Sequence, residues 1–416
     1  MTLILILTVI CLLIPLYVYC GYPLLLWLLS RLKPALPEPA FDRTKKVTLV
    51  VSCYNEAGVI AEKLENALAL DYPKELLDIL VLSDGSDDDT DTIVKSFADH
   101  GVRLLRQEGR LGKTMGLNMA LEHTDADYVV FSDANAMYQI DAILQLVRFF
   151  QLPEVGYVVG AALYTDGKDN AAAANEDLYW RYELKLKLWE SRLHSVVGGD
   201  GAIYAIRRSL WQPLQQKDIN DFVNPLQIVA QGYRGIFTPT ARCYEETAGD
   251  FTKEAKRKER IVNRSVRGLM RVKAVMNPFY NGWFSFEVIS HKLLRWLLPY
   301  FACIGLVGSA FLAAQQQILF QLVIAGALLV FIAATIGGFR RSSPSLAIWF
   351  AMPYYLLMVN YFAMRGVVKA LQGQTQVTWS SVRPSNQVRV IPTESGLPGL
   401  IVVVILFTIC LMWPYV

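Results

Sequence analysis

Four short polar segments carry residue types that can hold a cation and a phosphate chain. They are Tyr54-Asn55-Glu56, Asp84-Gly85-Ser86-Asp87-Asp88-Asp89, Gly109-Arg110-Leu111-Gly112-Lys113 and Asp133-Ala134-Asn135. Carboxylate and amide oxygens suit a hard divalent cation, and a lysine suits phosphate charge. Each segment also has a plain structural use. Asp87, Asp88 and Asp89 fit the cap and first-turn acids of a helix. Gly109 and Gly112 fit a turn, and Asx residues are common at strand ends. Asp84 is better placed for a ligand, because it directly follows an apolar run. Four such segments in this order carry far more weight than any one.

The segments sit at the ends of apolar, β-branched runs. Residues 47–53, 77–83, 102–105 and 128–132 read as buried strands. Helical patterns run between them to residue 70, over 88–99 and over 113–123. This alternation predicts an α/β domain with a mainly parallel sheet and helices on both faces. Ligands bind such sheets at the carboxyl ends of the strands, so the four tips are expected on one rim.

The rest of the chain is unlike a soluble enzyme. Hydrophobic residues make up 53% of the 416 and charged residues 19%, against about 25% charged in average globular domains. The excess is clustered. Residues 3–29 contain no charge, open without a basic segment and are too long for a signal peptide, so they read as an anchor. Residues 296–339 read as two spans joined by a turn at Gln315-Gln316-Gln317, with further candidates at 346–364 and 397–415. The expected total is about five, at roughly 20 residues per span. Arg31, Lys33, Arg43, Lys45 and Lys46 put the domain after the first span in the cytoplasm. A crossing at 346–364 conflicts with that bias, because Arg365, Lys369, Arg383 and Arg389 would then lie outside. The expected division is an anchor at 1–30, a cytosolic α/β domain at 45–277 and a membrane region at 278–416. A net charge of +3 argues against a nucleic-acid binder. Six cysteines without a CxxC and four scattered histidines form neither a disulfide framework nor a zinc site.

As a set, these residues resemble the family 2 glycosyltransferases, in the membrane-embedded branch related to cellulose, chitin and hyaluronan synthases. The matching pieces are Ser52-Cys53-Tyr54-Asn55-Glu56, Ser83-Asp84-Gly85-Ser86, Gly112-Lys113, Asp133-Ala134-Asn135, Gly198-Gly199-Asp200-Gly201-Ala202 and Ile219-Asn220-Asp221-Phe222. The resemblance implies a GT-A type nucleotide-sugar-binding domain set between membrane helices, and inversion at the anomeric carbon. It implies a donor site at Tyr54, Asn55, Glu56, Asp84, Lys113 and Asp133, and an acceptor segment at Gly199, Asp200 and Gly201. Asp133 and Asn135 stand at the family's metal-binding DxD motif, with asparagine in place of the second acid, so Mg²⁺ or Mn²⁺ is the implied cofactor. Asp221 matches the general base, although alone it reads as a helix N-terminal acid.

Arg257, Arg260, Arg264, Arg267 and Arg271 recur at helical spacing. The stripe reads as a basic helix on lipid headgroups. The resemblance adds a second use, because the family's Q-x-x-R-W motif falls on Arg257-Lys258-Glu259-Arg260-Ile261. Arg257 and Arg260 would then face the donor diphosphate, while Ile261 lacks the aromatic face that tryptophan gives a processive enzyme. Tyr179, Trp180, Tyr182 and Trp189 read as helix packing. Thr378-Trp379 near Arg383 would suit a cytosolic lid.

The expectation is an inverting hexosyltransferase of a bacterial-type inner membrane, multi-pass and with its catalytic domain cytoplasmic. Its donor would be a UDP-linked sugar and its acceptor a glycan or lipid-linked glycan, in polysaccharide synthesis and export. The layout is compatible with export or accessory subunits and calls for no nucleic acid. Two other readings stay open. One is a single addition to polyprenyl phosphate or a lipid-linked glycan, and the other is a non-catalytic nucleotide-binding membrane scaffold.

Overall fold

A computed structural model describes residues 1–164, 171–245, 251–340 and 347–375. Among them, eight strands form one sheet in the order β3-β2-β1-β4-β7-β6-β8-β5. The first four are β1 (Val47–Cys53), β2 (Leu77–Ser83), β3 (Val102–Arg106) and β4 (Tyr128–Asp133). They pair in parallel, as the apolar runs predict. Every residue of β1 is buried, which suits a strand covered on both faces. Register brings the tips level. Cys53 lies opposite Ser83, Ser52 opposite Asp133, and Ser83 opposite Arg106.

The second half of the sheet was not legible as strands. It comprises β5 (Met137–Tyr138), β6 (Val155–Tyr164), β7 (Tyr204–Arg207) and β8 (Arg234–Glu245). β7 runs antiparallel to both β4 and β6. Its first residue, Tyr204, pairs with Phe131 near the carboxyl end of β4, so the 199–203 loop enters beside Asp133. β5 pairs antiparallel with the end of β8, placing Tyr244 opposite Met137 and Glu245 next to the same rim.

Three helices among the described residues are long and apolar enough to cross a membrane: Thr2–Arg31, Trp283–Ala314 and Ile318–Phe339. The last two form the expected hairpin around residues 315–317. The expected total of about five spans is not met there. The 397–415 candidate and the Thr378-Trp379 segment lie outside the described residues. The 346–364 candidate is a helix, Ile348–Leu371, whose charged end is tied to the Phe251–Arg271 helix. Arg365 and Lys369 both pair with Glu259 of the Phe251–Arg271 helix. Asn263 Nδ2 donates to the Gln374 carbonyl at 2.8 Å. At Gly366 a Cβ would stand 2.8 Å from the Glu259 carbonyl oxygen, so only glycine permits this approach.

The first span docks on two partners. Tyr22 and Leu26 pack on Leu186 and Leu193 of the Ala171–Leu193 helix. Farther along, Thr8 and Leu12 meet Gly308 and Gly305 of the Trp283–Ala314 helix. Small residues let helix backbones approach closely where lipid supplies no hydrophobic driving force between helices. A Cβ at Gly308 would overlap Thr8 Oγ1, whereas one at Gly326 meets nothing within 4 Å. Gly308→Val should therefore lower the thermal unfolding midpoint in detergent, at a cost of about 1–3 kcal/mol for overpacking. Gly326→Val should leave it close to wild type.

Candidate active site

The site begins at the carboxyl end of β4. Asp133 ends that strand, and Lys113 opens the Lys113–Glu122 helix with its Nζ paired to Asp133 Oδ1. The Gly199–Gly201 segment lies across from them. Gly199 N donates to the Asp221 carbonyl, which ties this segment to the first turn of the Asn220–Ala230 helix. Asp221, Asp133 and Lys113 converge on Gly201. A Cβ there would stand 3.5 Å from Asp221 Oδ2, 3.6 Å from Asp133 Oδ2 and 3.7 Å from Lys113 Nζ. The missing side chain leaves a cradle walled by two carboxylates and an ammonium.

Charge inside this cradle is balanced from behind. Lys187 Nζ pairs with Asp200 Oδ2 at 3.0 Å, with both side chains largely buried. Lys63 is fully buried beneath the Asp133-Ala134-Asn135 tip, with its Nζ donating to the Ala136 carbonyl and lying 4.1 Å from the Tyr138 ring centre. Burial lowers its ammonium to about 8. The Asp221 carboxyl is pushed up by burial, with Lys113 opposing and Asp200 and Asp133 adding to the rise. Its Oδ1 is buried without a hydrogen-bond partner among the described residues. Glu245 is raised further, to about 8, by burial and then by Asp133 and Asp200, with Arg257 and Lys113 opposing.

The arginine stripe supplies the opposing charge. Arg257, Arg260 and Arg264 line the cleft. Arg264 Nη2 donates to Thr114 Oγ1 at 3.0 Å and to the Asp218 carbonyl, while Arg271 pairs with the Asp218 carboxylate. Burial and the neighbouring Arg260 lower Arg264 to about 10. Periodicity alone had allowed a lipid-facing stripe. In the structure Arg264 and Arg271 clasp the 216–218 loop instead, and Arg267 reaches the Ala370 carbonyl.

One cleft of about 830 Å³ is lined by Tyr54, Glu56, Lys113, Asp133, Asn135, Gly199, Asp200, Gly201, Asp221, Arg257 and Arg260. Asn55 and Asp84 are not on its wall. Asp84 is buried, and its Oδ1 accepts from Gly112 N at 2.9 Å and from Gln107 Nε2 at 2.7 Å. It closes the turn ahead of Lys113, and a strand-end aspartate can do either task. Asn55 has a φ of 53° and exchanges hydrogen bonds with Asp87, locking the first tip to the second. Asp88 accepts from Thr90 N and Ala57 N, the structural use that its position suggested. Arg110 stacks over Tyr54 with 3.6 Å to the ring centre.

Sequence reasoning missed Glu245, Lys187 and Lys63. Glu245 had a signal, an acid closing a β-branched run, but the strand itself went unread. Trp180 is both packing and wall. Its Nε1 donates to the Ala162 carbonyl at 2.6 Å, and Lys187 Nζ lies 4.6 Å from its ring centre.

A divalent cation fits the residues present. No cluster of three or more His, Cys, Asp or Glu side chains that could hold a metal exists among the described residues. Asp133 and Asn135 offer one carboxylate and one amide oxygen beside the Gly201 cradle. That sparse set suits Mg²⁺ or Mn²⁺, which keep waters and take substrate phosphates as further ligands.

Comparison with known proteins agrees with this geometry. Residues 48–212 match the family model described as glycosyl transferase family 2. The poly-beta-1,6-N-acetyl-D-glucosamine synthase of Staphylococcus aureus (strain MSSA476) is 32% identical over 127 residues, 30% of each chain. The enzyme of that name from Staphylococcus epidermidis is 29% identical over the same length and shares. The match thus spans under a third of these relatives. The mannosyltransferase PcManGT from Pyrobaculum calidifontis, solved in complex with GDP-Man and Mn²⁺, superposes with a TM-score of 0.66 at 23% identity. The match covers 88% of this chain and 99% of that one, which establishes the GT-A type fold. With three apolar helices long enough to span, this is a membrane protein.

Two substitutions probe the cradle. Gly201→Ala should leave the unfolding midpoint close to wild type while weakening nucleoside diphosphate binding with Mn²⁺ by about tenfold in calorimetry, the scale of one lost charge-assisted contact. Glu245→Gln tests the raised carboxyl. A carboxyl raised on folding contributes stability below its unfolded value of about 4.3, and that contribution is lost as pH climbs through about 8. Glu245→Gln should therefore unfold at a higher temperature than wild type above about pH 8, with the difference gone near about pH 4.

Proposed function

We propose, on the premise that this chain carries a family 2 glycosyltransferase domain, that it transfers a hexosyl unit with inversion from a nucleotide sugar to a glycan or lipid-linked glycan at the membrane. The observation that carries this reading is the meeting of Asp221, Asp133 and Lys113 around Gly201. A UDP-linked donor is carried over from the family resemblance of the sequence, and the likeness to the staphylococcal synthases supports a role in polysaccharide synthesis. The assignment includes a catalytic domain over 45–277 on the cytoplasmic face of a bacterial-type inner membrane, with membrane segments over 1–30 and 278–416.

The chain's own residues account for the reaction. An acceptor hydroxyl attacks the anomeric carbon as the bond to the diphosphate breaks on the opposite face. The hydroxyl proton passes to Asp221, the general base. A carboxyl whose proton affinity is raised is the stronger base in its ionised form. Its Oδ1 is placed to accept a proton because nothing else among the described residues occupies it. Lys113, Arg257 and Arg260 face the diphosphate and oppose the charge that grows on it. Asp133 and Asn135 would hold Mg²⁺ or Mn²⁺, whose charge stabilises the departing nucleoside diphosphate. Asp200, fixed by Lys187, borders the acceptor side. A scaffold that only binds nucleotide would need no buried base facing the same cradle.

The test is release of nucleoside diphosphate from a panel of nucleotide sugars by the protein in nanodiscs, with Mg²⁺ or Mn²⁺ and sized products. One donor should be turned over, and Asp221→Asn should be slower by roughly two to four orders of magnitude, the usual share of a general base. Turnover needs the ionised carboxylate, so it should fall with decreasing pH through a value above the ordinary aspartate range of about 3.9. Equal turnover by Asp221→Asn would remove the base from this role.

A further inference from the structure

The cleft does not stop at the cradle. Its wall also takes in Tyr19, Lys292, Arg295, Trp296, Tyr355 and Asn360, from the apolar helices and the Ile348–Leu371 helix. What this part of the wall can hold follows from a charge count, and the argument rests on the transferase reading above.

Glu183 and Glu190 lie on one face of the Ala171–Leu193 helix and are almost fully buried. His291 sits between them. Its Nδ1 meets Glu190 Oε1, and its Nε2 meets Glu183 Oε2 at 3.0 Å. Carboxylate oxygens only accept, so each contact needs a proton, held by the ring or by a carboxyl. Either way the three groups carry one net negative charge. Arg295, paired with Glu183, cancels it. The Tyr22 hydroxyl donates to Glu190 and changes nothing in the count. Lys187 is matched by Asp200. Glu287, buried on the same span, accepts from Ser195 N and has Arg234 as its countercharge. Lys292 is left over. Its Nζ lies 3.4 Å from His291 Nε2, which is already committed to Glu183, and no carboxylate pairs with it among the described residues.

An uncompensated ammonium beside apolar spans is costly, and such groups are kept where a ligand meets them. Residues 296–314 that follow contain no charge. A ligand at Lys292 therefore needs an anion next to a lipid-soluble part, and it must also reach Asp221 through the same cleft. A bare phosphate acceptor is already anionic and needs no general base, whereas a sugar hydroxyl does. We propose that the acceptor is a sugar carried on a lipid phosphate or diphosphate, with its hydroxyl at Asp221 and its phosphate at Lys292. In the transfer the hydroxyl oxygen bonds to the donor's anomeric carbon, its proton goes to Asp221 and nucleoside diphosphate leaves. The acceptor's own phosphate is unchanged.

The test compares three acceptors bearing one sugar: a polyprenyl diphosphate sugar, an alkyl glycoside without phosphate, and the water-soluble sugar 1-phosphate. Each is assayed with wild type, Lys292→Gln and Lys292→Arg. Wild type should show a KM for the lipid diphosphate at least about tenfold below that for the alkyl glycoside, as a charge-assisted contact is worth. Lys292→Gln should close that gap and Lys292→Arg should keep it. The ratio is taken within each variant, so partial misfolding cannot imitate the result. A gap that persists in Lys292→Gln, or no gap in wild type, overturns the assignment. Equal use of sugar 1-phosphate overturns the lipid part. Weaker binding of nucleoside diphosphate to Lys292→Gln, with the acceptor gap intact, gives Lys292 to the donor instead. If wild type releases no nucleoside diphosphate from any donor, the transferase reading itself has failed.

Discussion

The structure depends on holding several carboxylates together in a partly dehydrated cleft. Asp133, Asp200, Asp221 and Glu245 share its wall, and burial raises the carboxyls of Asp221 and Glu245. Repulsion of this kind would open the rim unless it were answered locally. Lys113 answers Asp133, Lys187 answers Asp200, and Arg257, Arg260 and Arg264 face the rest from one helix. The arginine helix is thus a structural counter-charge as well as part of the cleft wall. Its own position depends on Asp218, which accepts from Arg264 and Arg271, and on Glu259, which holds Arg365 and Lys369.

This electrostatic frame joins the membrane helices to the chemistry. Glu183, Lys187 and Glu190 occupy one face of a single helix. The two glutamates hold His291 and Arg295 at the start of a span, and the lysine between them holds Asp200 in the site. A shift of the Trp283–Ala314 helix would therefore be felt at Asp200 in the cleft. Close contacts at Gly308 and Gly366 keep the surrounding helices in register. The sheet and the apolar helices form one continuous wall around the cleft, rather than two parts joined by a tether.

Much of the site was legible in the sequence because parallel strands are simple to read. Uniform apolar runs marked β1 to β4, and the rule that ligands collect at strand ends put Lys113, Asp133 and Asn135 together. Resemblance to known transferases was needed for Asp221, since an acid in a first helical turn has an ordinary use. Asp84 shows what position alone leaves open. At the strand end its Oδ1 accepts from the Gly112 amide, while its Oδ2 is buried without a partner among the described residues. The arginine stripe shows the same limit, because spacing reveals a face but not what covers it. β7 and β8 were missed because their pairing is set by partners far away in the chain. Lys187 and Lys292 were invisible for that reason too, as their meaning lies in charges contributed by other helices.

The central claim is that donor and base meet at the Gly201 cradle. Its most direct test is a structure of the protein in nanodiscs with a non-hydrolysable nucleotide sugar and Mn²⁺. The account predicts the diphosphate between Lys113 and Arg260, Mn²⁺ density against Asp133, and the anomeric carbon close enough to Asp221 for a bound hydroxyl to bridge them at about 3 Å. A nucleotide seated elsewhere, or an anomeric carbon more than about 10 Å from Asp221, would contradict it, because no proton could then pass directly to that carboxylate.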